Sequence, residues 1–163
     1  MSSKPRSDIA RGVMAGVAGG LVASFVMNQF QGLLAKVKPD KEEAAKPDAA
    51  DDPATVKVAE PLLGRELRTD EKEPAGNAVH YAFGAAVGGL YGALAETAPA
   101  SRTGLGAVFG SALWLVVDEI AVPAFGLSEP AGTYPASVHA SAWASHLVYG
   151  ITTDLVRRGL RAM

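Results

Sequence analysis

Charge is segregated along this chain, and the segregation limits what it can fold into more than any other feature. Nearly every Asp, Glu, Lys and Arg falls in the first eleven positions, between Lys36 and Glu73, or in the last ten. The stretches between them, 12–35, 74–95, 103–123 and 136–156, are apolar and almost uncharged. A helix in water keeps a polar face toward solvent, so uncharged runs of this length point to hydrocarbon as the surroundings. At a rise of about 1.5 Å per residue, roughly 20 residues cross a hydrocarbon core of about 30 Å. Backbone N–H and C=O groups in lipid must be satisfied internally, which leaves helices or closed barrels, and no period-two alternation is present to favour a barrel. The expected fold is all-α: an integral membrane bundle of four transmembrane helices, with a polar loop carrying short helices between the first and second spans.

The first apolar run follows Lys4, Arg6 and Arg11, as a signal peptide would. It is longer than a typical signal core, and Asn28, Gln29 and Gln31 near its end do not resemble a cleavage site, so it is expected to remain as a span. In a four-span arrangement Lys4, Arg6, Arg11, Arg102, Arg157, Arg158 and Arg161 share one side. The excess of Lys and Arg on cytoplasmic flanks then makes the 1–11 flank and the basic 157–163 tail cytoplasmic, and the 36–73 loop non-cytoplasmic.

Within that loop, the stretch from Lys36 to Asp52 is rich in Lys, Glu, Asp, Ala and Pro, with too little apolar surface to fold alone, and reads as a flexible tether. Asp52 and Pro53 ahead of Ala54 to Glu60 read as an N-cap and first-turn proline of a short helix, which Pro61 and Gly64 should interrupt. Thr69, followed by Asp70, Glu71 and Lys72, offers a second cap just before Pro74.

Small residues recur inside the spans. Gly12, Gly16, Gly19 and Gly20 lie in the first, Gly84, Gly88, Gly89 and Gly92 in the second, and Gly104, Gly106 and Gly110 in the third. Spacings of three and four make a smooth stripe on a helix, and membrane helices associate through such stripes because lipid removes the hydrophobic drive. Gly16, Gly20, Gly84, Gly88, Gly92, Gly106 and Gly110 are therefore expected to carry helix packing, within the bundle or between copies.

Polar residues inside the spans are the candidate functional set. An ionised Asp at mid-membrane costs about 2.5 to 3.5 kcal/mol on insertion scales, so Asp118 and Glu119 need compensation. All of the histidines, His80, His139 and His146, fall in expected spans. Depth counting puts His80, Asp118, Glu119 and His139 at one level in the outer part of the membrane, with Asn28 and Gln29 close by and His146 two turns deeper. His139, Trp143, His146 and Gly150 share one helix face, expected to look inward.

Such a cluster admits a proton or cation route, a metal site, or simple pairing between helices. His80, His139, Asp118 and Glu119 are the candidate metal ligands, from different helices, because His139 and His146 lie about 10.5 Å apart along one helix. The chain has no Cys, no nucleophile-elbow pattern and no Lys-Ser or Lys-Thr ending to its glycine-rich runs, which argues against serine hydrolysis and nucleotide binding. No feature points to nucleic acid, and the residues name no cofactor.

His80-Tyr-Ala-Phe-Gly84, Gly89-Leu-Tyr-Gly92-Ala-Leu-Ala-Glu96, Trp114-Leu-Val-Val-Asp118-Glu119 and His146-Leu-Val-Tyr-Gly150 together resemble the YagU-like family of small bacterial inner-membrane proteins. The resemblance spans most of the chain beyond the first loop. It implies a multi-pass protein of the bacterial cytoplasmic membrane and carries over no activity, cofactor or catalytic residue. A non-enzymatic role is expected. It is either transport-related or channel-like, with the polar cluster in the outer half of the membrane, or an accessory role in a homo-oligomer or larger membrane complex packed through glycine faces. A metal-binding membrane enzyme stands third.

Overall fold

The structure, a computed structural model, describes residues 4–37 and 51–163. These residues are helical, with no strand among them. The helices are α1 (Lys4–Val37), α2 (Ala54–Leu63), α3 (Thr69–Thr97), α4 (Ala107–Ala124) and α5 (Ala136–Ala162). Within α4 the α-helical Ala107–Trp114 passes into a π-helical stretch, Leu115–Ala121, and ends in one α turn, Val122–Ala124. Most of the expected tether lies outside the described residues.

Three of these helices, α1 from Asp8, α3 and α4, are long and apolar enough to cross a membrane. The count is three rather than the expected four. At 27 residues α5 is long enough, but Ser137, His139, Ser141, Ser145, His146 and Thr153 dilute its apolar content. Absence of charge was a poor guide there, because uncharged polar side chains also oppose transfer into hydrocarbon. Ser145, His146, Thr153, Asp154 and Arg157 of α5 are buried against other helices.

The bundle is organised about α1, which packs on α3 along one side and on α5 along another. α4 packs on α5 and reaches α3 through a stacked Tyr91–Phe109 pair with centroids 4.5 Å apart. Arg161 lies 3.5 Å from Asp8, so the start of α1 and the end of α5 are at the same end. A small apolar core of Ala23, Met27 and Tyr149, with Phe109 and Leu113 against it, joins α1, α4 and α5.

The α1–α3 contact is a backbone contact. A Cβ built on Gly16 would overlap the carbonyl of Gly88, one on Gly20 that of Gly84, and one on Gly92 that of Gly12. Gly110 and Gly150 make a similar approach between α4 and α5. Gly104 and Gly106 do not extend a helical stripe as expected. Their φ angles of 72° and 82° place them in the left-handed turn before α4, a conformation that suits glycine, although Gly106 still meets the carbonyl of Gly150.

The polar segment builds a small cap on the far end of α3. Val56, Ala59 and Leu67 are buried against Ala75 and Val79. Arg65 grips Glu71 through both terminal nitrogens at 2.7 and 2.8 Å, and Lys72 reaches Asp52 at 2.6 Å. Glu71 also accepts from the Arg68 backbone N–H at 3.0 Å, which starts α3 at Thr69 and carries the helix through Pro74. Pro61 likewise lies inside α2, which ends at Gly64 with φ 67°.

Gly88→Val is expected to push α1 and α3 apart and cost on the order of 1–3 kcal/mol. Gly32→Ala, at a position with nothing within 4 Å, should leave stability unchanged or slightly raised. Thermal melts followed by circular dichroism in detergent compare the two.

Candidate functional site

The π-helical stretch of α4 carries two adjacent carboxylates, Asp118 and Glu119, toward α5. Glu119 Oε1 lies 2.6 Å from His139 Nδ1, and His139 Nε2 is 3.0 Å from the carbonyl of Ala131. Both ring nitrogens therefore face acceptors, and only the imidazolium form donates to both. Two turns along α5, His146 Nδ1 lies 2.9 Å from the Ala142 carbonyl and 3.5 Å from Asp118 Oδ2. The Glu119–His139 pair thus ties α4 to α5, while Asp118 stands beside a His146 already engaged by its own helix; Glu119 and His146 are the better-covered members. A π turn changes the side-chain register along a helix, and such turns are frequent at functional sites.

His80 on α3 does not join either pair. Its ring lies beside the Ser24 backbone and within electrostatic reach of His146, while Nε2 is buried without a hydrogen-bond partner among the described residues. Ser24 Oγ and Trp114 Nε1 are likewise buried without a hydrogen-bond partner among the described residues.

Several expected members fall elsewhere. The Asn28 side-chain amide donates to Asn77 Oδ1 at 3.5 Å, between α1 and α3 and about one turn from His80 along α3, and Gln29 is exposed. Sequence depth counting set these residues level with the cluster, but depth says nothing of the direction a side chain takes around its helix. Trp143 does not look inward with His146; it is 43% exposed and donates to Ser111 Oγ at 3.0 Å. Among the described residues no three His, Cys, Asp or Glu converge to hold a metal ion. The proposed ligands are divided, with Glu119 on His139, Asp118 near His146, and His80 beside α1.

Among the described residues the most buried charges lie at the opposite end, where the sequence reading placed only a basic cytoplasmic tail. Asp154 is fully buried and Arg157 is 4% exposed. Asp154 Oδ1 accepts from Arg157 at 3.0 Å and its Oδ2 from Arg158 at 2.7 Å. Glu96, at the end of α3, accepts from Arg161 at 3.0 Å and lies 3.5 Å from Arg157. The Arg157 guanidinium stands 5.8 Å over the fully buried Tyr91 ring, a cation–π contact. Arg102 donates to the Ala95 carbonyl at 2.6 Å and closes the end of α3. The available signal was the spacing of Asp154, Arg157, Arg158 and Arg161, at intervals of three and four on one helix.

A family model described as "Protein of unknown function (DUF1440)" matches residues 68–155, more than half of the chain. The chain belongs to this family. No curated protein and no solved structure matches it. The DUF1440 segment holds Glu96, both carboxylate–histidine pairs and Asp154, and it leaves out α1, α2 and the arginines that neutralise Asp154.

Removing one member of a buried ion pair strands the other, at a cost of about 3–5 kcal/mol. Asp154→Ala should therefore unfold the bundle at markedly lower temperature, whereas Asp51→Asn, in an exposed pair with Lys57, should melt with the wild type. Parallel melts in one detergent read the difference.

Proposed function

We propose that this DUF1440 protein is a small polytopic membrane protein with a structural or accessory role, acting as a helical subunit that joins copies of itself or a larger membrane complex. The observation that carries this reading is the pairing of the polar cluster. Glu119 is held by His139 at 2.6 Å, which occupies a carboxylate and an imidazole that a passing ion or a bound metal would need, and Asp118 stands near His146. The Glu119–His139 pair adds to the Gly110–Gly150 approach and the Phe109 and Leu113 contacts that hold α4, whose other face, with Val108, Leu115, Val116 and Ile120, is exposed. A helix so exposed, yet carrying two carboxylates, is well suited to meet another protein surface within the bilayer.

The membrane we have in mind is the bacterial cytoplasmic membrane that the YagU-like resemblance implies. Both termini lie on its cytoplasmic side, with the arginines of the Glu96–Asp154 end. In this arrangement α5 enters the bilayer against α1 with Ser145, His146 and Thr153 facing inward, away from lipid. A second reading, proton or cation passage, is favoured by the buried unpartnered His80 Nε2, Ser24 Oγ and Trp114 Nε1, since water could satisfy such groups and connect them.

Mild-detergent extracts and proteoliposomes separate the two. Under the accessory reading the chain runs as a complex on native gels, His139→Ala loosens that complex, and wild-type proteoliposomes show no proton flux above empty ones. Flux that Asp118→Asn abolishes, with the assembly intact, would overturn it in favour of passage.

A further inference from the structure

We infer that a groove between the start of α1 and the end of α5 holds the headgroup of an anionic phospholipid. The groove encloses about 330 Å³ and is lined by Arg11, Met14, Ala15, Ala18, Leu160 and Arg161. Its two guanidinium groups sit beside an apolar wall in which Met14 is 73% and Leu160 40% exposed. This combination fits a phosphodiester with an acyl chain attached, because a free anion has no use for the wall and an apolar ligand none for the arginines.

Charge balance favours the same occupant. The described carboxylates at this end are Asp8, Glu96 and Asp154, set against Arg11, Arg102, Arg157, Arg158 and Arg161. Asp154 is engaged by Arg157 and Arg158, and Glu96 and Asp8 by Arg161. Arg11 is exposed and has no ion-pair partner among the described residues. It stands about one helical turn before Met14, where the polar end of α1 gives way to its apolar surface, and in a bilayer that boundary lies at the level of the lipid phosphates. Basic pockets between helices on the cytoplasmic side are suited to anionic headgroups, each basic residue contributing about 1 kcal/mol. The phosphate meets Arg11 and the outer edge of Arg161, and one acyl chain runs along Met14 and Ala18.

This inference rests on the membrane reading above, which fails separately if the full chain is released from membranes by alkaline carbonate. For the detergent-purified full chain, native mass spectrometry with added phosphatidylglycerol or phosphatidylcholine is the test. Phosphatidylglycerol should bind preferentially, and Arg11→Gln should weaken it about fivefold, whereas Lys36→Gln, an exposed change at the other end of α1, should not. Equal binding of the two lipids, an unchanged Arg11→Gln, an equal loss in Lys36→Gln, or full competition by free glycerophosphate would each overturn it.

Discussion

The approach of α1 and α3 to backbone contact is the constraint on which the rest of this bundle depends. With Gly12, Gly16 and Gly20 against Gly84, Gly88 and Gly92, main-chain atoms meet where side chains would ordinarily keep helices apart. Close packing of this kind replaces the hydrophobic drive that lipid removes. It also makes room for Tyr149 of α5, whose hydroxyl donates to the Gly84 carbonyl at 2.6 Å and which lies close beside Gly20. Thr153 of α5 then settles on Gly19, one turn further along. The position of α5, and through it that of α4, follows from the absence of side chains on α1 and α3.

Polar interactions act at the two ends of this packed centre, and their roles differ. At the end carrying both Asp8 and Arg161, Asp154 and Glu96 are neutralised by arginines in a nearly dry setting, where a lost partner costs far more than at the surface. At the other end the carboxylate–histidine pairs are only partly covered, with Asp118 34% and His139 28% exposed. The first cluster locks helices whose positions the glycines have already set. The second adds to the Gly110–Gly150 approach and the Phe109 and Leu113 contacts that hold α4.

Much of the helical layout was legible in the chain because charge marks the ends of apolar helices. Arg11, Lys36, Glu73 and Glu96 bracket the first two apolar runs, and the structure extends those helices only into their flanks. The short helix after Pro53 and its stop at Gly64 were legible for local reasons, but Pro61 did not interrupt it as expected and lies within its last turn. α5 was counted as a fourth span for its lack of charge, whereas its uncharged polar residues keep it from being apolar enough and lie against neighbours remote in the chain. Gln29 is exposed because depth along a helix is readable from residue counting, while the direction taken around its circumference is not.

By itself, then, the sequence determined the all-helical character, the apolar runs and their borders, the glycine spacing, and the confinement of histidine to the later helices. All of these follow from a residue's own chemistry or from the fixed period of the helix. Tertiary structure alone decided that Glu119 meets His139, that Asp118 faces His146 while His80 Nε2 finds no hydrogen-bond partner among the described residues, and that Asp154 becomes a fully buried charge. Those outcomes depend on how far α3, α4 and α5 rotate and approach one another, and that is set by many weak contacts acting together across residues remote in the chain.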